Sequence, residues 1–116
     1  VLCLATNGAA HVQRQRLHNS GLDKDFAHIF ISEKLQADKP SAAFYDACFA
    51  ALPGIKREET VMVGDSLTSD IKGGKAAGMR TVWYCPKGHP RPARAQMAAV
   101  PDKIIETLGE LKTALG

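Results

Sequence analysis

The residues best equipped for chemistry sit in one run, Val63-Gly-Asp-Ser-Leu-Thr-Ser-Asp70, where one carboxylate closes an apolar stretch and a second follows at the start of the next helical segment. Such a pair can hold a hard cation. Magnesium prefers oxygen donors in an octahedron, keeps several waters, and is commonly bound by one or two carboxylates together with phosphate oxygens. Gly64 removes a side chain where the backbone would have to approach an ion or a phosphate. The structural alternative is that Asp65 and Asp70 only cap a helix N-terminus, where orphan amides and the macrodipole favour carboxylates. Even then, the amides at that terminus suit an anion.

Two shorter signals precede this run. Leu2-Cys-Leu-Ala-Thr6-Asn7-Gly8 ends an apolar stretch on a hydroxyl and a turn, so Thr6 and the amides around Asn7 can bind phosphoryl oxygens. Taken alone, Thr-Asn-Gly is more often a plain turn, since these residues supply turn backbone geometry. Lys39-Pro40 places a cation just before a capped helix. Lys39 could offset the charge of phosphate and carboxylates brought together, or be an ordinary solvated lysine. Pro40 fixes the chain direction there.

The elements that must position these residues follow from the apolar pattern. Val1-Leu-Cys-Leu-Ala5 is β-prone and starts with no cap or turn before it, which predicts a chain cut from a longer one. A weakly periodic helix is expected over residues 9–20, ending at Gly21. His28-Ile-Phe-Ile31 reads as a short strand. Ser41 reads as an N-cap, with Phe44, Tyr45, Cys48, Phe49 and Leu52 at helical spacing before Pro53-Gly54. Thr60-Val-Met-Val63 is a continuous apolar strand of the kind buried on both faces of a parallel sheet. A helix should start near Thr68 or Ser69 and run to Gly78. Arg80-Thr-Val-Trp-Tyr84 is a strand, residues 86–92 a loop, Ile104-Ile105 a last short strand, and Leu108, Leu111 and Leu115 mark a closing helix. Strands alternating with helices predict an α/β fold, a three-layer sandwich around a Rossmann-like, mostly parallel sheet. Ligands then bind at the carboxyl ends of the strands, which here carry Thr6-Asn7, Ser32-Glu33 and Gly64-Asp65-Ser66.

In this order and at these intervals the three signals resemble the haloacid dehalogenase (HAD) superfamily of phosphohydrolases. The stretch Met62-Val-Gly-Asp-Ser-Leu-Thr-Ser-Asp-Ile-Lys-Gly-Gly-Lys-Ala-Ala-Gly78 is especially similar to the pyrimidine 5′-nucleotidases of subfamily I and their sugar-phosphatase relatives. The resemblance implies that Thr6 is the second-motif hydroxyl, Lys39 the third-motif lysine, and Asp65 with Asp70 the fourth-motif acidic pair. These four would be the catalytic residues, with Thr6, Asn7 and Lys39 on the phosphate and the two aspartates on Mg. It further implies a Mg-dependent phosphomonoester hydrolase acting on a nucleoside monophosphate or sugar phosphate through an aspartyl-phosphate. The family nucleophile is the first Asp of an Asp-x-Asp motif after an N-terminal strand, and this sequence has no such segment. Asp23-Lys-Asp25 has the spacing but follows a Gly-Leu turn and leads into Phe26-Ala27. It is rejected because a nucleophilic carboxylate must be held rigidly in reach of the metal.

Residues 1–116 are therefore expected to be the C-terminal portion of a HAD-like hydrolase core, without the first motif or the cap that selects substrate. In the family the first-motif strand lies between the strand ending at Thr6 and the strand ending at Gly64. Without it, unpaired groups on two edges would cost roughly 1–3 kcal/mol for each one buried, against a domain stability of about 5–15 kcal/mol. The segment alone is expected to be inactive and marginal in stability. It would pair its edges differently, recruit a strand from another copy in a homo-oligomer, or belong to a longer chain. A non-catalytic module that binds Mg, phosphate or a protein partner is the competing reading.

Composition narrows the setting. With 45% hydrophobic and 23% charged residues the chain reads as an ordinary globular domain, with no apolar run long enough for a membrane. The net charge of +3 comes from scattered cations and calls for no nucleic-acid partner. Cys3, Cys48 and Cys85 are odd in number and set among apolar residues, as expected of core thiols in a reducing cytoplasm. The four histidines show no zinc-ligand spacing. Gly73, Gly74 and Gly78 fall inside a helix, where they allow close packing and form no dinucleotide fingerprint. Trp83 and Tyr84 read as strand residues beside the loop, with a place at a substrate rim left open.

Overall fold

A computed structural model describes residues 3–6, 19 and 28–115, apart from the side chains of Leu4, Thr6, Leu108, Lys112 and Leu115. Apart from residue 19, the helix expected over residues 9–20 and the Asp23-Lys-Asp25 triplet lie outside the described residues. The chain divides into two compact units, Val1–Ala51 and Leu52–Gly116.

In the first unit, β1 (Cys3–Thr6) pairs in parallel with β2 (His28–Ile31), with Thr6 opposite Ile31. The turn of helix α1 (Ser32–Leu35) follows β2 at once and ends at Gln36 in the left-handed region, φ 54°. Helix α2 (Ala42–Ala50) starts where the sequence places it: Ser41 is extended, and its hydroxyl accepts from the Phe44 amide at 3.3 Å. Phe44, Tyr45 and Cys48, spaced for one helical face, are buried along with Phe30 and Ile31.

The second unit is a parallel three-stranded sheet in the order β3–β4–β5, formed by Val61–Gly64, Arg80–Tyr84 and Lys103–Ile105. Gly64 lies opposite Trp83, and Tyr84 opposite Ile105. The expected strand over residues 60–63 is shifted by one residue, and it is not buried throughout. Met62 is buried while Val61 and Val63 are only partly so, because alternate side chains face opposite ways and one face is the better covered. Helix α3 (Gly73–Ala76) supplies cover through Gly74, where a Cβ would meet the Met62 side chain at 2.9 Å. Close helix-to-strand packing is thus the role of that glycine. β4 and β5 are also clasped at their starts. The Asp102 carboxylate accepts from the Thr81 amide at 2.8 Å, and the Asp102 amide donates back to Thr81 O at 3.1 Å. The chain closes with helix α4 (Leu111–Leu115), as expected.

Among the described residues the strands form two separate parallel sheets. No described helix is long and apolar enough to cross a membrane.

Candidate metal and phosphate site

The acidic run is organised by the turn that leaves β3. Helix was expected to begin at Thr68 or Ser69; the cap is instead Ser66, whose hydroxyl accepts from the Ser69 amide at 3.1 Å. The amides of Asp70 and Ile71 both donate to Ser66 O, at 3.0 and 3.1 Å. The second bond spans five residues, so Leu67–Lys72 winds as a π-helical turn, a rare form that is frequent at functional sites. The wide turn carries the Asp70 side chain back over the strand end. There its Oδ2 accepts from the Ser66 amide at 3.2 Å, and the residue is 4% exposed. A Cβ on Gly64 would overlap this carboxylate. Gly64 therefore makes room for Asp70, a use that the ion-approach argument did not foresee.

The capping alternative is realised for Asp70, which satisfies the amide of the cap residue. Asp65 stands exposed at the strand end. Its backbone carbonyl accepts from the indole of the buried Trp83, Nε1 to O 3.0 Å. Beside it opens a cavity of about 540 Å³ lined by Asp65, Trp83, Tyr84, Cys85, Pro86, His89 and Pro90. Trp83 and Tyr84 thus do border an open space.

In the first unit, Lys39 is half-buried and its Nζ donates to Ala5 O at 3.1 Å, which brings the ammonium to the carboxyl end of β1. The backbone of Thr6 closes that strand in register with Ile31. The Thr6 side chain and all of Asn7 lie outside the described residues. The Lys39–Pro40 peptide is cis. A shallow cavity of about 370 Å³ just upstream of Lys39 is lined by Ser32, Glu33, Gln36, Ala37 and Asp38, two of them the strand-end residues after β2. Cys48 is buried on α2, and this burial, with Cys3 nearby and Lys39 opposing, pushes its thiol up to about 11. It is a protonated core residue at neutral pH. Cys3, Cys48 and Cys85 are all free.

Each unit therefore gathers half of the expected residues: Lys39 at the strand end of Thr6, and Asp65 with Asp70 on one turn. The second half suits a hard cation in its chemistry. It offers carboxylate and backbone oxygens, with one carboxylate already oriented by an amide. Among the described residues no group of three or more His, Cys, Asp or Glu converges, and magnesium asks for only one or two carboxylates.

Ser66 and Trp83 were not singled out as supports of the site. Ser66 carried a signal, a cap residue directly after a strand with Asp at the fourth position beyond it. Trp83 carried none, because its contact depends on the register of β3 against β4.

A profile of the HAD-hydrolase-like family matches residues 36–111. The pyrimidine 5′-nucleotidase PynA of Streptococcus pneumoniae is 49% identical over 85 residues, which is 73% of this chain and 36% of that protein. Among solved structures, the magnesium-bound HAD-hydrolase YfnB of Bacillus subtilis superposes with a TM-score of 0.91 at 38% identity, covering 99% of this chain and 49% of that one. A HAD phosphatase from Thermococcus onnurineus superposes with a TM-score of 0.85 at 35% identity, over 99% and 50% of the two chains. The chain thus spans between about a third and a half of the length of these three relatives.

Proposed function

The chain belongs to the HAD-like hydrolase family and has its Rossmann-like α/β core in part; from that premise we propose that the whole protein is a magnesium-dependent phosphomonoester hydrolase. Residues 1–116 are the C-terminal portion of its core domain. The observation that carries this reading is the buried Asp70 carboxylate, seated over Gly64 at the end of β3 and one turn from the exposed Asp65.

The Thr6 hydroxyl, the Asn7 amide and Lys39 bind the phosphoryl oxygens, while Asp65 and Asp70 hold the cation. When bound, magnesium supplies positive charge against the oxygens that become more negative in phosphoryl transfer. Lys39 adds a second positive centre against the phosphoryl charge. Asp70 is held in place by the Ser66 amide, so its carboxylate needs no reorganisation when substrate arrives. The family's aspartyl-phosphate step is assigned to a carboxylate upstream of this chain. The cavity beside Asp65 lies within the usual size of small-ligand sites. Identity to a pyrimidine 5′-nucleotidase puts nucleoside monophosphates first among candidate substrates, with sugar phosphates next. Three free cysteines suit a cytoplasmic setting.

The test is phosphate release by the full-length protein from a panel of nucleoside monophosphates and sugar phosphates, with magnesium and with EDTA. Turnover should need magnesium and should fall roughly 1,000-fold in Asp65→Ala with the fold retained. Undiminished turnover in EDTA, or in Asp65→Ala, would refute the proposal.

A further inference from the structure

One peptide unit joins the two carboxylates. The carbonyl of the Asp65–Ser66 peptide accepts from Trp83 Nε1 at 3.0 Å, and the N–H of the same peptide donates to Asp70 Oδ2 at 3.2 Å. The plane that sets the direction of Asp65 is thereby pinned at both ends. Trp83 is itself immobilised. It is 5% exposed, lies opposite Gly64 in the β3–β4 ladder, and packs in a cluster with Ile71 and Cys85 against Leu67. Leu67 and Ile71 belong to the π-helical turn that returns Asp70. The indole therefore grips that turn by packing on one side and by its N–H on the other.

From this geometry we infer that Trp83 is a positioning residue for the metal-binding pair. It acts through the Asp65–Ser66 peptide and touches neither substrate nor cation. A buried indole N–H needs a partner, and many would satisfy it; here the partner is the carbonyl of the residue that presents the exposed carboxylate. A hydrogen bond to a peptide carbonyl polarises that peptide and strengthens the bond its N–H makes, because bonds in a chain reinforce one another. Trp83 thus aims Asp65 and tightens the hold on Asp70 at once. The inference rests on the reading that Asp65 and Asp70 hold magnesium.

The experiment is calorimetric titration of magnesium chloride into the full-length protein, free of substrate, for wild type, Trp83→Phe, Ile71→Val and Asp65→Ala. Phe keeps an aromatic ring in the cluster and removes the N–H together with part of the indole's bulk, and the loss of packing alone is what Ile71→Val controls for. Ile71→Val loosens the same cluster and leaves the peptide bonds alone. Trp83→Phe should weaken magnesium binding by about 3- to 10-fold, the scale of one lost hydrogen bond. Ile71→Val should stay within about 2-fold of wild type although it also lowers the unfolding midpoint. An unchanged dissociation constant in Trp83→Phe, or an equal loss in Ile71→Val, would overturn the positioning role. Unchanged binding in Asp65→Ala would instead overturn the metal assignment on which it stands.

Discussion

At the end of β3 the Asp70 carboxylate and the Asp65 backbone are held from within a short stretch, by contacts that span 4 and 18 positions between Ser66 and Asp70 and between Asp65 and Trp83. At the end of β1 the cation arrives from 34 positions away, as Lys39 reaches the Ala5 carbonyl on a flexible four-carbon stem. The acidic turn is preformed, with backbone, cap and side chain closing on one another. The basic corner is tied to β1 by the long-range bond from Lys39 to Ala5.

The sharpest way to break that difference is to put a Cβ where the acidic turn has no space. Gly64→Ala drives a methyl into the Asp70 carboxylate. It should lower the unfolding free energy of the full-length protein by about 1–3 kcal/mol, as for other overpacked sites, and weaken magnesium binding with it. Denaturant midpoints and magnesium titration measure both. If stability and affinity match wild type, the turn is not preformed.

A smaller effect is expected in the first unit. Burial raises the Cys48 thiol to about 11, above the ordinary 9.0. As pH rises the unfolded chain loses its proton first, so the stability is complete below about pH 9 and declines until about pH 11. Two pH units at about 1.4 kcal/mol each would cost about 3 kcal/mol, and solvent around the thiol reduces the loss to about 1 kcal/mol. Unfolding midpoints at pH 8 and pH 11 should therefore differ less in Cys48→Ala than in wild type. An identical alkaline drop would mean that the thiol is not buried as described.

The same contrast explains what the sequence made legible. Arg80-Thr-Val-Trp-Tyr84 and the Ser41 cap appear where expected, because periodicity and caps are local. Asp65 and Asp70 were recognisable from the run that contains them. The start of the helix was misplaced, since the bond from Ile71 to Ser66 that widens the turn lies outside ordinary helix signals. Trp83 could not be linked to Asp65 without knowing that it lies opposite Gly64. Lys39 was identified by its place before Pro40, and its bond to Ala5 depends on how β1 and β2 pair.

That the whole protein holds magnesium and phosphate together is tested most directly by calorimetric titration of inorganic phosphate into the full-length protein, with and without saturating magnesium. Ligands that meet in one site must change each other's affinity reciprocally. The account predicts that magnesium tightens phosphate binding by about 10-fold or more, on the scale of typical coupling energies. An identical phosphate dissociation constant in the two conditions would contradict it, and would leave Lys39 and the Asp65–Asp70 pair as independent features of the fold.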